Sequence, residues 1–312
     1  MIVGHFLLAF SLVALYAIYR ELGSEYALTM GLIAGGFAVL PDIDILFAAR
    51  ELLVLFSSGV SGFVDSFWQT SKIVHRGWTH SLVTLFISAS LFSIYHKTSY
   101  RLIAITALPV AFFTGIHYGN VFTAGVMIFF IAGGLLISRI AESKVESRDF
   151  TLSVFLGLLL HPFGDVFTGT PPEFFYPFET GLFSSRVIIF GDPVINLLAI
   201  FALEFSLVWI GLLTVSKLRG IDVKREIKGF SFIGLVYAPA AIYIQAPTLE
   251  VAYQFVFSVI GFGALIAFVA VYLSEEKYSD FKIDDLIGAC LNLAVAVTAA
   301  FTGYVLIYTL LI

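Results

Sequence analysis

Two histidines and an arginine lie within six residues in the stretch His75-Arg76-Gly77-Trp78-Thr79-His80. Neutral imidazole is the commonest protein ligand for transition metals. An arginine guanidinium is suited to binding a phosphate or carboxylate group, and Gly77 allows the backbone to turn between the histidines. The stretch therefore predicts a metal-binding turn. We expect Thr79 or Ser81 to cap an apolar helix that starts at Leu82.

Similar polar groups occur in four other stretches: His5, Pro41-Asp42-Ile43-Asp44, His161-Pro162-Phe163-Gly164-Asp165 and Asp192-Pro193. His161 and Asp165 are four residues apart, so on a helix their side chains share one face. Asp42 and Asp44 are close enough to repel each other unless a cation or a shared proton relieves them. Each group also has a simpler interpretation, such as an interfacial histidine, a turn, a hydrogen-bonded pair or a helix cap.

The composition indicates a membrane protein. Of 312 residues, 59% are hydrophobic and 12% are charged, which lies outside the range of soluble globular proteins. Apolar runs of about 17–25 residues can span a bilayer. We therefore predict an all-α polytopic protein with about ten transmembrane helices, at residues 3–19, 27–41, 80–96, 100–118, 120–139, 151–167, 193–216, 230–246, 250–273 and 286–311.

Two segments between these runs are mixed in polarity. Residues 42–79 are interrupted by charged side chains and are predicted to form interfacial helix and turns. Residues 168–192 are rich in proline and aromatic side chains, which predicts a structured loop at headgroup level. The single Cys290 excludes an intramolecular disulfide and a cysteine-rich metal site.

The distribution of lysine and arginine predicts the orientation. With the N-terminus outside the cytoplasm, thirteen of these residues lie in cytoplasmic loops and four lie outside. The positive-inside rule favours this arrangement. It also places His5, the end of the second helix, the start of the third, the end of the sixth and Asp192 at one non-cytoplasmic face. Independent polar residues would be scattered over both faces.

The sequence resembles the membrane-bound metal-dependent hydrolases, the family that includes the LexA-regulated inner-membrane protein YdjM. The resemblance covers about residues 1–200 and lies in a few short stretches. These are Gly4-His5-Phe6-Leu7, Leu40-Pro41-Asp42-Ile43-Asp44, His75 through Ser81, His161 through Asp165 with Thr168, Phe175-Tyr176-Pro177 and Asp192-Pro193. It implies metal-dependent hydrolysis and names no substrate. We expect residues 1–216 to form the hydrolase-like domain and residues 217–312 to add helices that serve as scaffold or oligomer surface.

Residue chemistry and resemblance together predict a site for one or two divalent ions. The expected metal ligands are His5, Asp42, Asp44, His75, His80, His161 and Asp165, with Asp192 and His117 as additional candidates. Mixed histidine and aspartate ligation suits zinc first, and manganese or iron as alternatives. A metal-activated water would be the nucleophile, with Asp42 or Asp44 as general base and Arg76 binding an anionic oxygen.

A site at the membrane surface favours a lipid or lipid-linked phosphoester as substrate, and we expect membrane lipid and no nucleic acid as partner. Two other functional classes remain open. An ion, proton or metal transporter would carry polar groups near the bilayer midplane on two similar halves, which this sequence lacks. A structural metal site can use the same ligands as a catalytic one and differs by having no open coordination position.

Overall fold

A computed structural model describes residues 2–74, 76–97, 101–119, 121–167, 170–176, 178, 181–243, 252–273 and 283–311. The regular structure in these ranges is entirely helical, which confirms the predicted all-α class. The α-helices are α1 Ile2–Tyr19, α2 Ser24–Val39, α3 Val54–Val74, α4 Leu82–His96, α5 Arg101–Ile105, α6 Ala107–Tyr118, α7 Val121–Ala141, α8 Ser147–Asp165, α9 Pro193–Arg219, α10 Val223–Glu226, α11 Ala240–Tyr243, α12 Ala252–Tyr272 and α13 Ile283–Leu311. Short 3-10 helices cover Pro41–Leu53, Trp78–His80 and Gly229–Tyr237.

Five helices among the described residues are long and apolar enough to cross a membrane. They are α1, α7 and α9, with Phe255–Tyr272 of α12 and Ile283–Leu310 of α13. The predicted number of ten spanning helices is thus not established. One reason is length, because α2 has 16 residues and reaches about 24 Å, whereas the bilayer core is about 30 Å thick.

The chain forms two compact units, Met1–Val187 and Ile188–Ile312. In the first, α1 and α2 form a hairpin, and α8 packs against both helices. Gly157 makes the approach of α8 to α2 possible, since a Cβ atom there would lie 2.4 Å from the carbonyl oxygen of Ala34. This contact fixes the end of α8 beside the end of α2. The proposed division at residue 216 concerned function and stays a prediction.

The second unit packs α9, α12 and α13 around an apolar core. Phe255 and Tyr304 are fully or almost fully buried there, with their ring centroids 4.5 Å apart. Asn292 of α13 accepts hydrogen bonds from the Lys228 amide and the Ser231 hydroxyl, both at 2.8 Å. These contacts tie the start of the 3-10 helix Gly229–Tyr237 to α13.

The mixed segment 42–79 is largely helical. The 3-10 helix Pro41–Leu53 leads into α3, which is kinked at Gly59, where φ is 68°. The predicted loop 168–192 contains turns around Phe174, and α9 begins at Pro193. His75, Thr168 and Pro177 lie outside the described residues.

Candidate metal centre

Asp42, His80, His161 and Asp165 converge in the first unit, and we refer to these four residues as the metal-site cluster. Each offers one ligand atom, and the four atoms lie within 4.8 Å of one another. The cluster is deeply buried, with exposed fractions between 0% and 8%. It joins three distant parts of the chain, namely the turn after α2, the turn before α4 and the last turn of α8.

The spacing of the ligand atoms fits a metal ion better than a network of direct hydrogen bonds. The Nε2 atom of His161 lies 3.7 Å from Oδ1 of Asp42 and 3.5 Å from Oδ2 of Asp165. The corresponding distances from Nε2 of His80 are 3.7 and 3.2 Å. Three of these four distances exceed the usual hydrogen-bond limit of about 3.2 Å. A tetrahedral zinc site with bonds of about 2.0–2.1 Å separates its ligand atoms by roughly 3.3–3.4 Å.

Hydrogen bonding within the cluster is incomplete. Oδ2 of Asp42, Nε2 of His161 and Oδ2 of Asp165 are buried and have no hydrogen-bond partner among the described residues. Buried polar atoms normally find a partner, because an unsatisfied one costs about 1–3 kcal/mol. A cation held by the cluster would satisfy Nε2 of His161 and Oδ2 of Asp165, which lie 3.5 Å apart. The residues present therefore fit a divalent metal.

The orientation of His161 is set by the end of α2. Its Nδ1 atom lies 2.6 Å from the carbonyl oxygen of Ala38, and a carbonyl can only accept, so Nδ1 carries the proton. The last carbonyls of a helix have no partner within the helix, and His161 supplies one. Its Nε2 atom then presents a lone pair to the cluster, as a metal ligand must.

His80 is oriented by Thr79 and Asp44. Its Nδ1 atom lies 2.9 Å from the Thr79 hydroxyl oxygen, and that hydroxyl donates to Oδ2 of Asp44 at 2.8 Å. The direct distance from Nδ1 of His80 to Oδ2 of Asp44 is 3.5 Å. Asp44 thus lies behind His80, away from the four converging ligand atoms.

His5 lies beside Asp165. Its Nε2 atom is 3.2 Å from Oδ1 of Asp165, and its ring centroid is 4.1 Å from that of His161. Gly164 allows this approach, because a Cβ atom there would lie 2.5 Å from the His5 ring. The contact holds one oxygen of Asp165, so that the other faces the cluster.

Arg76 connects Asp165 to the loop that follows α8. Its guanidinium lies 3.7 Å from Oδ1 of Asp165 and donates to the backbone carbonyl of Thr170. Its backbone φ is 71°, in the left-handed region that non-glycine residues seldom occupy. The Arg76 side chain is 17% exposed, so it lies at the edge of the buried cluster.

The charges of the cluster are mutually stabilising. Burial of Asp42 opposes its ionisation, but the nearby imidazoles of His80 and His161 lower the pKa of Asp42 to about 2. Burial likewise opposes a charge on His80, yet Asp44, Asp165 and Asp42 together raise the pKa of His80 to about 10. A metal ion binding here would displace a proton from His80.

The loop after α8 covers the turn that carries His80. The Leu82 amide donates to the carbonyl of Phe174 at 2.8 Å, and the Ser81 hydroxyl donates to the carbonyl of Tyr176 at 2.8 Å. The ring centroids of Trp78 and Tyr176 are 4.8 Å apart. Helix α4 begins at Leu82 as predicted, but the Ser81 side chain makes no cap bond and binds the loop instead.

The structure thus brings six of the nine predicted ligand candidates together, four in the cluster and two, His5 and Asp44, against it. Asp192 is the N-cap of α9, where its Oδ1 accepts from two backbone amides. His117 is exposed at the end of α6, and His75 lies outside the described residues. The Ala38 carbonyl and the hydrogen bond from Thr79 to Asp44 were not predicted from the sequence. For the hydrogen bond from Thr79 to Asp44, the only indication in the sequence was that Thr79 is adjacent to His80.

Comparison with known proteins supplies a family. Searches among curated proteins and among solved structures found no match. The family model described as YdjM inner membrane protein matches residues 1–249. The match includes every residue of the metal-site cluster and extends well beyond the stretches that carry the resemblance in the sequence. The chain therefore belongs to the YdjM inner membrane protein family.

Proposed function

We propose that this membrane protein is a metal-dependent hydrolase that cleaves a lipid or lipid-linked phosphoester at the non-cytoplasmic membrane surface. The observation that carries the proposal is the convergence of Asp42, His80, His161 and Asp165, in which three buried side-chain atoms have no hydrogen-bond partner among the described residues. One divalent ion accounts for two of these atoms, Nε2 of His161 and Oδ2 of Asp165. Zinc is the first choice because the His2Asp2 donor set and the spacing suit it.

The chemistry divides among a few side chains. A bound divalent ion would bring the pKa of a coordinated water near neutrality and polarise a phosphoryl oxygen. Asp42 is the better placed of the two predicted general bases, because its Oδ1 faces the histidines and its Oδ2 has no partner among the described residues, whereas Thr79 already occupies Oδ2 of Asp44. The guanidinium of Arg76, at the edge of the cluster, provides planar donors for the anionic oxygens of a phosphoester.

The surroundings favour a substrate with an apolar part. Phe163, two residues before Asp165, is 42% exposed, and Phe178 of the covering loop is 64% exposed. Both can contact acyl or isoprenoid chains near the site. The excess of lysine and arginine in the predicted cytoplasmic loops supports a non-cytoplasmic location for the metal-site cluster.

The depth of the cluster favours a second candidate, a purely structural metal site. All four side chains are at most 8% exposed, and structural sites are closed to solvent, whereas catalytic ones keep a position open. The hydrolase and the structural site both require a bound metal, and only the hydrolase requires turnover of a phosphoester. Both can therefore be tested in one preparation.

The test begins with elemental analysis of the purified protein. We expect one or two divalent ions per chain, and loss of metal in His161→Ala, which removes a ligand. His117→Ala is the matched control, because His117 is exposed at the end of α6.

The same protein is then incubated with phospholipids and lipid-linked phosphates, with and without a chelator. Chelator-sensitive cleavage supports the hydrolase. Metal without cleavage across a broad panel favours the structural site, and a metal-free wild-type protein refutes both.

A further inference from the structure

Thr79 occupies a position between an aspartate and a candidate metal ligand. Its hydroxyl oxygen lies 2.8 Å from Oδ2 of Asp44 and 2.9 Å from Nδ1 of His80. Asp44 and His80 are fully buried, and Thr79 is 1% exposed. The direct separation of 3.5 Å between Asp44 and His80 is too long for a hydrogen bond. The Thr79 hydroxyl therefore provides a hydrogen-bonded connection between them.

The direction of these bonds follows from the donor inventory. A threonine hydroxyl has one proton and can accept through its lone pairs. Here it donates that proton to Asp44. Toward His80 only its acceptor capacity remains, so the hydrogen must come from Nδ1 of the imidazole. The ring is then held with Nε2 toward Asp42 and Asp165, at 3.7 and 3.2 Å.

We infer that Thr79 is a positioning residue that couples Asp44 to His80 and fixes the imidazole with Nε2 as its metal-binding atom. Asp44 accordingly acts through Thr79 and is not itself a metal ligand. The inference rests on the metal site of the proposed function and adds the residues that orient it. A carboxylate behind a ligating histidine commonly fixes its tautomer and raises its basicity. In this protein a hydroxyl is interposed between the two.

Two substitutions separate this role from simple packing. Thr79→Val keeps the branched shape and removes the hydroxyl, whereas Thr79→Ser keeps the hydroxyl and removes a methyl group. Loss of such a supporting partner typically weakens metal binding by about 10–100-fold. We therefore expect Thr79→Val to bind zinc about 10–100-fold more weakly than wild type, and Thr79→Ser to bind close to wild type.

The experiment uses the purified full-length protein, stripped of metal and titrated with zinc against a chromophoric chelator. Thermal unfolding of the metal-free forms is measured alongside. Thr214→Val is the matched control, because Thr214 is also buried, at 3% exposure, but its hydroxyl donates to the Ile210 carbonyl within α9. The control should leave zinc affinity unchanged.

The possible results distinguish the two proposals. Equal zinc affinity in Thr79→Val and wild type overturns the inference and leaves the metal site intact. Equal losses in the serine and valine variants show that packing matters and the hydroxyl does not, which also overturns it. A wild-type protein that binds no zinc removes the zinc site and the inference together. Zinc binding without phosphoester cleavage contradicts the proposed hydrolase activity and leaves the inferred role of Thr79 unaffected.

Discussion

Both histidines of the metal-site cluster direct Nδ1 toward an oxygen atom outside the cluster. His161 uses the Ala38 carbonyl at 2.6 Å, and His80 uses the Thr79 hydroxyl at 2.9 Å. One acceptor belongs to the backbone and the other to a side chain, yet each leaves Nε2 facing the carboxylates. His5 provides the same kind of support to Asp165. The outer contacts thus orient three of the four residues.

Arg76 gives the prediction that belongs to single side chains. Arg76→Lys keeps the positive charge and loses the planar fork of donors. We expect metal content near wild type, because Arg76 is not a ligand. Phosphoester turnover should fall by about 10²–10³, the usual cost of removing one preorganised donor to a developing anion.

Metal content and turnover of Arg76→Lys are measured on the same sample, which separates two roles. Loss of metal would show that the contact with Asp165, at 3.7 Å, matters more than substrate binding. Unchanged metal together with unchanged turnover would remove Arg76 from the reaction altogether.

At the level of elements, the site depends on how closely α2 and α8 pack. α2 leads to Asp42 and carries Ala38, and α8 carries His161 and Asp165. A shift between the two helices would therefore separate ligands from one another and from the carbonyl that orients His161. Gly157 lies at the closest point, against the backbone of Ala34.

Gly157→Ala is expected to push α8 away from α2. The added Cβ atom would lie 2.4 Å from the Ala34 carbonyl oxygen, and a backbone atom cannot rotate aside. Overpacking of this kind costs about 1–3 kcal/mol. We expect a lower melting temperature in detergent and weaker zinc binding.

Gly36→Ala is the control for this substitution. It also adds a methyl group to α2, but the nearest atom, Cδ1 of Ile137, lies 3.7 Å away, an ordinary contact. Equal effects of the two substitutions would contradict the close-packing explanation.

On the scale of the whole molecule, the two ends of the first unit carry different kinds of polar residues. One end holds the metal-site cluster, Arg76 and the covering loop. The other holds the cationic segments near Lys97 and Lys144, with Arg101 and Arg139 both paired to Glu142. Such an asymmetric distribution of basic residues orients membrane proteins with the basic end in the cytoplasm.

Cysteine labelling tests that orientation in intact cells. In a Cys290→Ala background, Phe178→Cys should react with a membrane-impermeant reagent added from outside. Lys144→Cys should react only after the membrane is permeabilised. Both positions are exposed, so accessibility within the protein does not limit the reaction. Labelling of Lys144→Cys alone from outside would invert the proposed topology and place the site on the cytoplasmic side.

The sequence by itself determined the membrane class, the helical fold and the chemical types of the site residues. These are properties of short stretches, such as the apolar run of α7 or the four-residue spacing of His161 and Asp165. Hydropathy and helical periodicity are local quantities, and they can be read without knowing which helices pack together. The expectation that distant polar stretches meet also came from the sequence, through the alternation of spanning segments.

Only the tertiary structure decided which of these residues face one another. Asp42 and Asp44 look equivalent in the sequence, but the 3-10 helix places one in the metal-site cluster and the other under Thr79. The acceptor for His161 is a backbone carbonyl of another helix, which has no signature in the sequence. Such assignments depend on distances of a few tenths of an ångström between distant segments. Close helix packing sets those distances, and residue type and spacing alone do not.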